Sequence, residues 1–298
     1  MKLTIGFSPC PNDTFIFDAL IHHKIDTQGL EFEVQYEDVE SLNHKAFNAE
    51  LDITKLSYHA FAYAAQDYEL LDAGSALGFG VGPLLITKDP ILAERLKRVI
   101  EEGEPLLESD KQLKIGIPGK YTTANFLLGL ALPDLQDKRE VLFSAIENSL
   151  LEGSLDIGLI IHENRFTYQQ KGLSKIVDLG DYWEKTTERP IPLGGIVVKR
   201  SLEESLKLKI NNLIRESVDF GFANPKSGLE YIRSHAQEMD EEVMYKHIEL
   251  YVNKYSLDLG LQGREAIQTM FDKAVSQGII PNAGKPLFLT GNNKEIDR

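Results

Sequence analysis

Across 298 residues the chain is 42% apolar and 26% charged, the balance of a globular protein with one large or two ordinary domains. A formal charge of −14 and a pI near 5.0 speak against nucleic acid and anionic membrane surfaces, both of which need cationic contacts. Cys10 is the single cysteine, which excludes an intrachain disulfide and a thiolate metal cluster.

Short strands alternate with helices along the chain, the pattern of a mostly parallel sheet covered by helices. Leu3–Phe7 reads as a strand and Thr14–His23 as a helix, joined by Ser8-Pro9-Cys10-Pro11-Asn12-Asp13. Two prolines stiffen that loop and remove two donors. Asn12, Asp13 and Thr14 favour the helix N-cap, and Phe15, Ile16, Ala19 and Leu20 supply an apolar stripe. The N–H groups of such a helix start attract an anion, and the carboxyl end of a strand faces the ligand crevice of an open sheet. A merely rigid turn is the alternative.

Phe32–Tyr36 reads as strand, Val39–Glu50 as helix, and Leu51–Lys55 as a short strand entering a helix from Ser57 to Ala65. Gly78-Phe79-Gly80-Val81-Gly82-Pro83 breaks the pattern, and strand resumes at Leu84–Thr87. Three glycines in five residues let a backbone approach a partner closely. The strand Leu113–Ile117, the Pro118-Gly119 loop and a helix from Thr122 repeat the layout of the first forty residues. Asp156–Ile161 is almost continuously apolar, as in a strand buried on both faces, and it ends at His162. Gly194–Lys199 reads as a return crossing, after which Leu202–Ala223, Pro225–His235 and Glu241–Tyr251 have helical periods.

Crossings near 84–88 and 194–199 enclose about a hundred residues, enough for an independent domain. The prediction is an α/β chain of two lobes with a ligand cleft between them: a discontinuous larger lobe, 1–88 with 198–298, and an inserted smaller lobe, 89–197. Lys207-Leu208-Lys209 and Glu101-Glu102-Gly103-Glu104 read as solvated surface.

His162 follows a buried strand, and neutral imidazole is the side chain best suited to move protons near neutral pH; a structural histidine is the alternative. His22, His23 and His44 read as surface residues, His235 and His247 fall in the C-terminal helical region, and His59 follows Ser57 closely. Lys55, Ser57, Thr122 and Thr123 stand at two strand-to-helix junctions, where hydroxyls and backbone N–H groups bind a carboxylate; ordinary N-caps are the competing reading. Asn12 and Asp13 belong to the same wall. Arg165 offers a bidentate partner for an acid or a surface ion pair with a neighbouring Glu. Dinucleotide, phosphate-loop, His-Glu-x-x-His and nucleophile-elbow motifs are absent, which favours chemistry without a cofactor.

Ser8-Pro9-Cys10-Pro11-Asn12-Asp13-Thr14-Phe15 resembles the amino-terminal signature of the 1,4-dihydroxy-6-naphthoate synthases of the futalosine route to menaquinone. Further segments are similar to that family in order along the chain: 37–43, 54–58, 78–84, Pro118–Ala124, Gly158–Tyr168 and Tyr251–Ser256. The resemblance implies a periplasmic-binding-protein type II-like fold and a lyase that releases 1,4-dihydroxy-6-naphthoate from cyclic dehypoxanthine futalosine. It implies His162 as proton acceptor and substrate contacts from Lys55, Leu56 and Ser57 and from Thr122 and Thr123. No cofactor and no metal are expected. The expected partner is a small-molecule carboxylate substrate, with no nucleic acid and no membrane; a homodimer stays open. With no apolar h-region at the N-terminus, a cytoplasmic location is expected. A noncatalytic binding protein for a small organic anion and the related chorismate dehydratase remain as alternatives.

Overall fold

The apolar run after Met1 forms β1 (Lys2–Phe7), followed by α1 (Pro11–Ile21), β2 (Glu31–Tyr36), α2 (Val39–Phe47), β3 (Ile53–Ser57), α3 (Tyr58–Ala64), β4 (Tyr68–Leu70) and β5 (Ala76–Gly78). The chain continues through β6 (Leu84–Thr87), α4 (Pro90–Glu102), β7 (Ile115–Ile117), α5 (Thr123–Ala131), β8 (Lys138–Glu140), α6 (Ile146–Leu151), β9 (Ile157–Ile160), α7 (Asn164–Thr167), β10 (Ser174–Asp178) and α8 (Leu179–Thr187). Then come β11 (Ile191–Lys199), α9 (Glu204–Ala223), α10 (Leu229–His235), α11 (Glu241–Tyr251), α12 (Lys254–Leu257) and α13 (Gly260–Ser276). This computed structural model describes residues 1–162, 164–236 and 240–290. The stretch 291–298, assigned to the larger lobe from sequence, lies outside the described residues.

Contacts divide the chain into two compact units, Met1–Gly78 with the described part of Pro192–Arg298, and Phe79–Ile191. The boundaries fall about ten residues before position 88 and six before 198, because β6 pairs with β9 and β10 and so belongs to the second unit.

In the first unit the strand order is β2-β1-β3-β11-β4, with β5 also on β11. β1 runs parallel to β2 and β3, whereas β11 is antiparallel to β3 and β4. The second unit has the order β10-β6-β9-β7-β8. There β7 is parallel to β8 and β9, and β6 is antiparallel to β9 and β10. Both sheets are therefore mixed instead of mostly parallel, and the antiparallel pairs come from β6 and β11, the two strands read as crossings.

Helix α1 is buried from Pro11 to Leu20 and packs against α9, α10 and α11. It therefore lacks the solvated face that a single apolar stripe would leave. Ile5, Phe7, Ile16 and Phe17 join Ile196, Ile214, Met244 and Ile248 in one core, where each such side chain contributes about 1.5–3 kcal/mol. Phe7 stacks on Phe17 with ring centroids 4.3 Å apart. Leu84, Ile86, Ile146, Leu150 and Ile160 form the core of the second unit.

Lys207 is not solvated surface. It is buried on the inner face of α9, ion-paired with Glu69 of β4 and with Glu204 at 3.0 Å.

The glycine-rich segment 78–82 meets its partner within the second unit. A Cβ on Gly82 would lie 2.2 Å from the Gly180 nitrogen and 2.3 Å from its Cα, so only glycine admits this backbone contact. The Gly80 N–H donates to Glu184 Oε1 at 2.7 Å.

Candidate functional site

In the first unit the N-cap of α1 is Cys10, not Asn12, Asp13 or Thr14. Pro11 occupies the first helical position, where its fixed φ suits the helix and its missing N–H costs nothing. Asn12 and Asp13 therefore sit in the first turn, and Thr14 Oγ1 donates back to the Cys10 carbonyl at 2.9 Å.

Lys55 of β3 reaches this turn. Its Nζ donates to Asp13 Oδ1 at 2.7 Å and to the Gly74 carbonyl at 3.1 Å. The two charged side chains are only 7% and 4% exposed, so loss of either partner would strand a buried charge. Asn12 Nδ2 donates to the same Asp13 oxygen at 2.8 Å, and Asn12 Oδ1 lies 2.8 Å from His247 Nε2.

Alternation along β3 puts Lys55 and Ser57 on one face and Leu56 on the other. Leu56 is a core residue, so a substrate contact there is confined to its backbone. Ser57 occupies the N-cap of α3, yet its hydroxyl makes no capping bond. Instead Asn43 of α2 brackets it: the Ser57 N–H donates to Asn43 Oδ1 at 3.0 Å, and Asn43 Nδ2 donates to Ser57 Oγ at 3.4 Å and to Glu40 Oε2 at 2.8 Å.

In the second unit Thr122 caps α5. Its Oγ1 accepts from the Asn125 N–H at 3.2 Å and donates to the Gly119 carbonyl at 2.8 Å. Thr123 is the buried first residue of the helix. His162 comes two residues after β9, with φ +58. That left-handed backbone is uncommon for a residue with a Cβ and is shared by His23, Gln28, Ala49 and Glu188. Its ring stands edge-on to Phe143, with centroids 4.9 Å apart.

Arg165 pairs with Asp178 at 3.0 Å and donates from its other terminal nitrogen to the Gly82 carbonyl. Burial pushes the Asp178 carboxyl up, and the Arg165 charge opposes that rise. The guanidinium is thus engaged by β10 and the glycine segment. Beside this turn, buried Glu147 accepts from Asn164 at 2.5 Å and Lys171 at 2.6 Å through Oε2.

The structure thus gathers Asn12, Asp13 and Lys55 into one buried network, while Ser57 has a separate bracket. A cavity of about 450 Å³ lies in the second unit among Thr87, Lys88, Asp89, Arg95 and Asp156. It opens at the start of β9 and is lined by none of the expected site residues, so its size alone makes it no rival to the clusters described.

His247 is the participant that sequence reasoning left aside. Its signal was legible, because Met244, His247, Ile248 and Tyr251 recur at the spacing of one buried helix face. An imidazole on that face needs a polar partner.

Among the described residues no group of three or more His, Cys, Asp and Glu side chains is disposed to hold a metal ion, and no helix is long and apolar enough to cross a membrane.

Comparison with known proteins matches residues 3–276 to a family described as menaquinone biosynthesis. A 1,4-dihydroxy-6-naphthoate synthase of Thermus thermophilus is 42% identical over 96% of this chain and 99% of its own. One of Streptomyces coelicolor is 37% identical over 95% and 96%. A crystal structure of a protein from Archaeoglobus fulgidus superposes with a TM-score of 0.84 at 34% identity, covering 94% of this chain and 98% of that one. The periplasmic aliphatic sulphonate binding protein of Escherichia coli, at 11% identity and a TM-score of 0.63 over 99% and 95% of the two chains, shares the fold. The likeness along almost the whole chain, together with the periplasmic-binding-protein-like fold, means that this protein belongs to the menaquinone-biosynthesis family.

Proposed function

We propose that this protein is a lyase that converts cyclic dehypoxanthine futalosine into 1,4-dihydroxy-6-naphthoate without a cofactor, with His162 as the proton acceptor. The observation that carries this reading is likeness, over nearly the full length of both chains, to two proteins named for that product. The place of His162 just past the buried strand β9 supports a reacting role for its side chain, and imidazole can take a proton from the sugar-derived part of the substrate near neutral pH.

Substrate contacts are assigned to Lys55, the Leu56 backbone and Ser57 in the first unit and to Thr123 in the second, where Thr122 caps the helix that carries it. An ammonium has three N–H donors; Lys55 spends two on Asp13 and Gly74, which leaves one for a ligand. Asn12 and Asp13 hold that lysine. Arg165, engaged by Asp178 and Gly82, fits an anchor for the turn behind His162 better than a substrate contact.

The test is to incubate the purified protein with cyclic dehypoxanthine futalosine, without added cofactor, and follow 1,4-dihydroxy-6-naphthoate by liquid chromatography and mass spectrometry. Catalytic yield that is largely abolished in a folded His162→Ala variant supports the lyase and its base. Near-wild-type turnover in that variant removes His162 from the mechanism. Tight binding without turnover moves the protein to the binding class, and an enolpyruvyl-bearing benzoate made from chorismate moves it to the dehydratases.

A further inference from the structure

We propose that His247 is a positioning residue for Lys55, acting through Asn12 and Asp13; the inference rests on the reading of Lys55 as a substrate contact. His247 is fully buried on α11, 235 positions along the chain from Asn12. Two contacts fix the direction of the hydrogen bonds that join them. Asn12 lies 2.8 Å from a carboxylate oxygen of Asp13, which only accepts, so the amide nitrogen must face it. The amide oxygen then faces His247 Nε2 at 2.8 Å, and the imidazole must donate.

His247 therefore holds the Asn12 amide from its oxygen end while Asp13 holds the nitrogen end. A flipped amide would set its oxygen against the Asp13 carboxylate, and Asp13 is the group that holds the Lys55 ammonium at 2.7 Å. Tyr251, whose ring centroid is 4.7 Å from that of His247, packs beside the imidazole. A leucine at this position would suit the surrounding core of Met244 and Ile248, so a histidine there is explained by the bond it donates. Losing that bond leaves Asn12 anchored at its nitrogen end alone, so the amide and the Asp13 carboxylate it bonds can shift and carry the Lys55 tip with them, and affinity for the substrate carboxylate falls.

The test compares wild type with His247→Leu, His247→Gln, Lys55→Met and the double variant Lys55→Met/His247→Leu, each checked for folding by thermal melting. Binding of 1,4-dihydroxy-6-naphthoate is measured by calorimetry, and KM and kcat by product formation. His247→Leu should raise Kd and KM about tenfold, the loss of one well-placed hydrogen bond, with kcat little changed, because ground-state and transition-state binding fall together. His247→Gln, whose amide N–H can donate to Asn12, should recover most of the affinity. In the Lys55→Met background the leucine should add nothing.

Wild-type affinity in His247→Leu beside a weakened Lys55→Met overturns the relay and leaves the Lys55 reading standing. Wild-type affinity in Lys55→Met overturns that reading and the relay with it. A full additional loss in the double variant means that His247 acts elsewhere. A crystal structure of His247→Leu with Asn12 and Lys55 still on Asp13 overturns the relay whatever the ligand result, and it decides the matter if wild type neither binds nor turns over.

Discussion

Two adjacent threonines of the second unit separate a structural hydroxyl from a candidate ligand hydroxyl. Thr122 has both hydrogen-bonding directions committed to its own loop and helix, and removing such a cap costs about 0.5–2 kcal/mol. Thr123 is one residue inside α5, outside the capping position. Thr122→Ala should therefore lower the melting temperature, while folded Thr123→Ala and Ser57→Ala variants should weaken binding of 1,4-dihydroxy-6-naphthoate by roughly fivefold. Unchanged affinity in both of the latter would sink the carboxylate assignment. At this scale the sequence exposed the residue types but not their partners. Lys55, Asp13 and Asn12 could be named from two strand-to-helix junctions, yet their convergence on one carboxylate depends on β1 and β3 pairing in parallel with Ile5 opposite Ile53. His247 enters the same network from α11, and no local pattern in the first sixty residues points to it.

Elements were legible where hydrophobic period and breaker residues agree. β1, β2, α2, β9, β11, α9 and α11 follow their apolar patterns closely, whereas the three-residue strands β4 and β5 are too short to carry a period. The start of α1 was misread because a run of Asn, Asp and Thr outweighed Pro11, which took the first helical position and moved the cap to Cys10. The glycine-rich segment illustrates the same limit. Its need for close approach could be read, but Gly180 as the partner could not, since α8 lies about a hundred residues further on. Gly82→Ala would drive a Cβ into backbone atoms that cannot rotate away. It should destabilise the protein by about 1–3 kcal/mol or more, measured by urea unfolding. A variant as stable as wild type would show that the contact between the two glycine backbones relaxes without cost.

Acid stability is a property of the whole molecule to which one carboxylate contributes with a definite sign. Burial raises the Asp52 pKa, but the N–H and hydroxyl of Thr4 and the Lys199 charge outweigh it, and the net shift is downward. A carboxyl depressed on folding adds stability above its unfolded pKa and loses that contribution as pH falls through the folded value. Asp52→Asn should therefore cost more stability near pH 6 than near pH 3, compared by urea unfolding at both; an equal cost at the two pH values would overturn the assignment. The sequence by itself determined the α/β class, the exclusion of an intrachain disulfide and the family resemblance, because periodicity, composition and motif order are properties of neighbouring residues. Only the tertiary structure decided the mixed direction of the sheets, the unit boundaries at Gly78 and Pro192, the commitment of Arg165 to Asp178, and the buried chain from His247 to Lys55. Those depend on which distant strands pair and which helix faces meet, and a buried polar group takes as its partner whatever residue the packing brings within hydrogen-bond reach.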